Sequence, residues 1–178
     1  MMFEPDNLDT AFAINPSLYA KLPYDSLRDF DFLSIIATAN GVLVVNSTRV
    51  AARSVEAIVA EAKRDPKKFN FASAGAGTII HLHGETFKTA AGIDLLHVPY
   101  KGAAQVIVDL AGGRIEMSVM SAVASAGHIR TGKVRALAIT ATQRWDKLAD
   151  VPTMEEAGVR DCVYAAWYGF WFPAGVPA

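Results

Sequence analysis

Apolar residues along this chain keep two rhythms that take turns. From Val42 to Thr140, short runs rich in β-branched side chains are separated by segments whose apolar positions recur every three to four residues, the spacing of one helix face. The run Phe32 to Asn46, FLSIIATANGVLVVN, reads as two strands joined by a turn or bend at Thr38-Ala39-Asn40-Gly41, or equally as one long strand kinked at Asn40-Gly41. Ser54 is placed to cap a helix through Val55, Ile58, Val59 and Ala62, which stops before Asp65-Pro66 with Lys63 and Arg64 at its negative end. Phe69 and Phe71 begin a short strand that feeds the small-residue turn Ser73-Ala74-Gly75-Ala76-Gly77-Thr78. A helix follows to about Ala91, where Gly92 ends it. Leu95 to Val98 is a strand closed by Pro99, and Ala103 to Leu110 a helix ended by Gly112-Gly113. Ile115 to Met120 is a strand, Ala122 to Ile129 a helix stopped by Thr131-Gly132, and Val134 to Thr140 a strand.

The flanks differ. Ala11 to Leu33 is rich in turn formers (Asn15-Pro16, Leu22-Pro23, Tyr24-Asp25) and reads as a surface loop with at most a helical turn or two. Arg144 to Asp150 is a polar connection, Thr153 and Glu156 have the spacing of a capping box for a short helix closed by Gly158, and Val163 to Phe172 is β-prone and aromatic. That last run fits a core strand better than a recognition surface.

Near-continuous apolar strands separated by helices argue for an α/β fold with a parallel sheet covered on both faces. Ligands in such sheets bind beyond the carboxyl ends of the strands, and the turn Ser73 to Thr78 sits at such an end. Its glycines let the backbone approach a ligand, and the first amides of the following helix lack intrahelical partners. The turn is therefore either an anion site or a tight connection with no ligand.

Composition narrows the classes. The 178 residues allow one sizeable core, or one full domain with part of another. With 52% hydrophobic and 20% charged residues the chain is globular. Lysine plus arginine (17) nearly balances aspartate plus glutamate (18), and no basic run interleaves with aromatics, which argues against a nucleic-acid face. The lone Cys162 leaves no internal disulfide and reads as a small buried hydrophobe. The start, MMFEPDNLDTAF, lacks the basic and apolar regions of an export signal, and no apolar window reaches the ~20 residues of a membrane helix.

Other chemistry is weighed and set aside. His81 and His83, two apart on a predicted helix, point to different faces, Glu85 does not complete a zinc-protease motif, and His97 and His128 lie in other elements, so no metal is expected. Gly127 to Val134 nearly spells a P-loop, but Val134 stands where a hydroxyl is needed and the order runs from helix to strand. Phe71 to Gly75 has the setting of a nucleophile elbow without its first glycine. A serine hydrolase built on Ser73 would need His97 or His128 with Asp109, and stays as the enzyme alternative.

Taken together, NPSLYAKLPYDSLRDFDFLSIIA, NFASAGAGTIIHLHGETFKTAAGIDLLHVPYKGAAQVIVDLAGGRIEMS, HIRTGKVRALAITATQR, DVPTMEEAG and WYGFWFPAGVPA, in this order, resemble the tripartite tricarboxylate transporter substrate-receptor family, also called Bug or TctC proteins. The resemblance covers nearly everything from Thr10 to Ala178. It implies a type II periplasmic-binding-protein-like (Venus-flytrap) α/β receptor with no enzyme activity and no cofactor. Such a receptor binds small carboxylates between two lobes in the periplasm and passes them to the membrane permease subunits of its transporter. It further implies that Ser73, Gly75, Gly77 and Thr78 give backbone and hydroxyl donors to a ligand carboxylate. Asn40 and Ser121 are added as candidates because they sit at predicted loop edges on the same sheet end. Residues 1–41 would be a partial first lobe and crossing, 42–140 the second lobe, and 141–178 a crossing and further part of the first lobe. Phe32 to Gly41 and Thr140 to Asp146 would lie near the crossings.

The sequence departs from the family's pattern by lacking an export signal, the family's opening strand and proline/glycine loop, and its last helices and strands. Met120-Ser121 also stands where relatives commonly carry Asp-Asn. These departures set a second expectation beside the receptor: a truncated chain acting through self-association or a protein partner, with a possible homo-oligomer formed through exposed first-lobe segments.

Overall fold

β1, Phe30–Asn46, is one unbroken 17-residue strand. Two sheets are built on its two halves in the computed structural model, which describes Phe12 and residues 14–176. Residues 1–11, read above as lacking an export signal, and the terminal Pro177 and Ala178 lie outside the described residues. Phe30 to Asn40 pair antiparallel with β6, Ala165–Pro173, whereas Gly41 to Asn46 run between β4, Met117–Ser121, and β5, Val134–Ile139. Of the two readings open for Phe32 to Asn46, the long strand is the one that forms, and its partners change at Asn40-Gly41. A Cβ added at Gly41 would stand 2.8 Å from Thr140 Oγ1, so glycine suits this crossing. Thr140 clasps it: its hydroxyl accepts from the Gly41 amide at 2.9 Å and lies 2.8 Å from the Tyr164 carbonyl.

β2, Asn70–Ser73, and β3, Leu96–Pro99, complete the larger sheet in the order β3-β2-β4-β1-β5. β2 is parallel to both β3 and β4, and β5 shares their direction because β4 and β5 are each antiparallel to β1. The expected wholly parallel sheet is thus corrected to a mixed one with a reversed strand inside it. Val42 to Val45 are fully buried, and a strand covered on both faces is a continuous apolar run in either direction. Their alternation feeds two cores. Leu43 and Val45 pack with Ile58, Phe71 and Phe87 on one side, and Val42 and Val44 with Val106, Leu110 and Met120 on the other.

Four helices, α2 (Val55–Arg64), α3 (Ile79–Ala91), α4 (Ala103–Ala111) and α5 (Ala122–Arg130), cover these cores, after a single-turn α1 at Asn15–Leu18. Local chemistry sets their ends: Ser54 accepts from the Ala57 amide, and Gly92 closes α3 at φ 61°, a backbone region that favours glycine. No described helix is long and apolar enough to cross a membrane.

Two expectations near the C-terminus change. The capping box forms, with the Thr153 amide donating to Glu156 at 2.8 Å and the Glu156 amide to Thr153 at 3.1 Å, but it closes a turn rather than a helix. The Met154 amide donates to Ile139 and Pro152 accepts from Ile139, so this backbone is already committed to the edge of β5. β6 forms as a strand, yet its aromatic run is half-exposed instead of core: Phe170 and Phe172, with Phe32, Leu33, Ile35 and Ile36 of β1, leave an apolar two-stranded ribbon open to solvent. Cys162 is fully buried, as expected of a small hydrophobe.

Candidate ligand-binding site

The turn from β2 into α3 is tied to itself. Gly75 (φ 140°) and Gly77 (φ 80°) adopt positive φ, which side chains disfavour. Thr78 caps α3, donating from its hydroxyl to the Gly75 carbonyl at 2.7 Å and accepting from the His81 amide at 3.4 Å. The Gly75 amide donates to Ser73 Oγ at 3.1 Å, and the Gly77 amide to His81 Nδ1 at 3.1 Å. Ser73 is fully buried, and its hydroxyl shares a 2.6 Å bond with His97 Nε2. The four residues nominated here therefore spend these groups on shaping the turn, and a ligand contact through them would require exchanging those bonds. The amides of Ile79 and Ile80, in the first turn of α3, have no backbone partner among the described residues.

Beside this turn lies a cavity of about 290 Å³ at the junction of the two sheets. It brings together the other two nominated residues, Asn40 and Ser121, with Gly41, Ile79, Ile80, His83, Ala103, Met120 and Ala124, and with Ala166 and Tyr168 of β6. Ser73, Gly75, Gly77 and Thr78 do not line it. Its lining holds the starts of three helices: Ile79 and Ile80 open α3, Ala103 opens α4, and Ser121 caps α5 by accepting from the Ala124 amide. These helices follow the carboxyl ends of β2, β3 and β4, and each presents the positive end of its dipole there. No lysine, arginine, aspartate or glutamate lines the cavity. An anion is thus favoured by backbone dipoles alone, against a wall that is otherwise largely apolar.

Histidines surround the turn. His81 stacks on His97 with ring centroids 4.1 Å apart, and burial, with His81 next, holds the His97 ring below its ordinary pKa. This is the Ser–His contact the hydrolase alternative needs, but its carboxylate is elsewhere. Asp109 accepts from Arg114 at 2.7 Å and Tyr100 at 3.0 Å, which hold its carboxyl below the usual range. Ser73 is sealed from solvent and is not presented as a nucleophile. Among the described residues no group of three or more His, Cys, Asp or Glu side chains could hold a metal.

The cavity residue missed in the sequence is His83. It is 5% exposed, stacks on Tyr164 at 3.7 Å between centroids, and its enclosed Nε2 has no hydrogen-bond partner. Burial pulls its pKa down to about 3. The available signal was its place four residues after Ile79 and four before Phe87, a polar residue on the core face of α3.

Comparison with known proteins adds to this geometry. The profile of the tripartite tricarboxylate transporter family receptor matches residues 7–178. A UPF0065 protein in the tcbD-tcbE intergenic region of a Pseudomonas species is 36% identical over 169 residues, covering 94% of this chain and 50% of that protein. Protein BugT of Bordetella pertussis is 34% identical over 163 residues, covering 92% and 50%. The chain therefore spans about half the length of the curated relatives it matches. Among solved structures, one described as a periplasmic transporter superposes with a TM-score of 0.89 at 36% identity, over 98% of this chain and 60% of the other. The periplasmic binding protein BugD superposes at 0.87 and 29% identity, over 94% and 56%. An R. palustris protein solved with adipate superposes at 0.83 and 33% identity, over 89% and 53%.

Proposed function

Because the chain belongs to the tripartite tricarboxylate transporter family of receptors, we propose that it supplies one wall of a cleft that binds small carboxylates in the periplasm for delivery to a membrane permease. The observation that carries this reading is the convergence of the starts of α3, α4 and α5 on one cavity with no charged side chain in its lining. A carboxylate seated there would receive the free amides of Ile79 and Ile80, with Asn40 and Ser121 at its edge, while Ser73, Gly75, Gly77 and Thr78 hold the turn in shape. Residues 42–140 would form one lobe, the β1–β6 ribbon part of the other, and β1 and the segment after Thr140 the crossings. Adipate in a relative's structure supports the ligand class.

The cavity opens to solvent, so a ligand stays partly in water and binding by this chain is expected to be weaker than about 10 μM. Calorimetric titration with mono-, di- and tricarboxylates measures it. Silence across the whole panel would overturn the reading, and micromolar or tighter affinity would show that this wall suffices.

A second reading, association of two copies, is favoured by the ribbon, where Phe32, Leu33, Ile35, Ile36, Phe170 and Phe172 are each about half exposed. Light scattering across a concentration series is expected to show a dimer that Phe32→Ser with Phe170→Ser disperses. A monomer at every concentration removes this reading.

A further inference from the structure

The cavity beside the turn draws its lining from both sheets. From the larger sheet come the starts of α3, α4 and α5, where backbone amides favour one anionic group. From the smaller sheet come Ala39, Ala166 and Tyr168, and Ala39 and Ala166 are direct partners in the β1–β6 register. A ligand with its carboxylate at the helix starts therefore lays the rest of its body against alanines and a tyrosine ring. Met120 adds a thioether, a soft surface that packs against alkyl and aromatic groups alike.

Charge decides what that body can carry at its far end. No lysine or arginine lines the cavity, and its one histidine, His83, is held uncharged at neutral pH by burial, with a pKa of about 3. The Ser121 hydroxyl is already engaged by the Ala124 amide. A second carboxylate beside Ala39 and Ala166 would lose part of its water and meet no counter-charge. A methyl group or ring edge in the same place loses nothing of that kind and gains by leaving water.

We infer that this wall selects monocarboxylates with an apolar body over dicarboxylates of the same length. The inference rests on the receptor reading above. It adds to that reading the charge and polarity of the ligand's far end.

Two shape-matched pairs of acids test it by calorimetric titration at neutral pH: hexanoate against adipate, the ligand in the R. palustris relative's structure, and 4-methylbenzoate against terephthalate. In each pair the second acid carries a carboxylate where the first has a terminal methyl group. The protein is expected to bind the monoacid at least about 4-fold more tightly, the share one buried methyl group supplies before desolvation of the second carboxylate is counted. Ala166→Lys brings an ammonium to the far end and is expected to narrow or reverse the ratio in at least one pair. Ala166→Met, similar in length and uncharged, is expected to keep it. Equal or tighter binding of both diacids by the unsubstituted protein, or a ratio that Ala166→Lys leaves unchanged in both pairs, overturns the assignment and leaves the receptor reading standing. Failure of all four acids to bind overturns the assignment, and the receptor reading with it when the wider carboxylate panel is silent as well.

Discussion

Gly84→Ala is expected to destabilise the protein by about 2–3 kcal/mol, although glycine to alanine inside an exposed helix ordinarily gains about 1 kcal/mol. Gly84 lies within α3, and a Cβ there would stand 2.1 Å from Phe71 Cε2 and 2.5 Å from Cδ2. The ring has nowhere to go: Phe71 is 2% exposed and stacks on His97 with centroids 4.8 Å apart. The alternative, displacing α3, would also shift the amides of Ile79 and Ile80 at the cavity. Urea denaturation measures the loss, and combining Gly84→Ala with Phe71→Leu should cost clearly less than the two single changes added together, because both act on one contact. A Gly84→Ala variant as stable as the parent would show that the close approach of α3 to β2 is not what requires glycine.

The second large effect is acid sensitivity carried by His83. Its ring has a folded-state pKa near 3 because burial opposes the charged form, against about 6.5 in an unfolded chain. Between those values the unfolded chain binds the proton and the folded protein does not, so stability rises with pH through this window. The contribution is fully present above about pH 6.5 and is lost as pH falls toward 3. Each pH unit is worth about 1.4 kcal/mol, so the whole window amounts to something on the order of 5 kcal/mol. Unfolding free energies measured at several pH values should fall with this slope in the parent, and His83→Phe should flatten it. Equal slopes in the two proteins would locate the acid sensitivity in other groups.

Legibility followed the range of the forces. Helix ends were readable because a cap is local chemistry: Ser54 and Gly92 act within a turn of their own positions. The strands of the larger sheet and the special character of Asn40-Gly41 were readable from apolar runs and one glycine. Strand direction was not, because Val42 to Val45 are covered on both faces and carry no mark of which way their neighbours run. The turn from Ser73 to Thr78 was placed correctly at the end of β2, but what its donors do depends on β3. The parallel register sets His97 opposite Phe71, which brings its ring to Ser73, a contact no local pattern encodes. His83 was visible as a polar residue on an apolar helix face, while its stacking on Tyr164, which arrives from the far end of the chain, is a long-range contact no local pattern encodes. The half-exposed ribbon shows the same limit: aromatic β-formers specify a strand, and coverage of that strand is decided elsewhere.

The double membership of β1 has a consequence for the order in which the protein takes shape. Every strand β1 pairs with, β4, β5 and β6, follows it in the sequence and is made after it, and its outermost partner is Pro173. Until β4 and β5 are made, Val42 to Val45, which end fully enclosed, are an apolar segment with both edges open. The pairing of β2 with β3 around α3 can form meanwhile from nearby residues. A strand made before all of its partners is thus among the last to be secured, and during that interval it is exposed to aggregation and has much to gain from a chaperone.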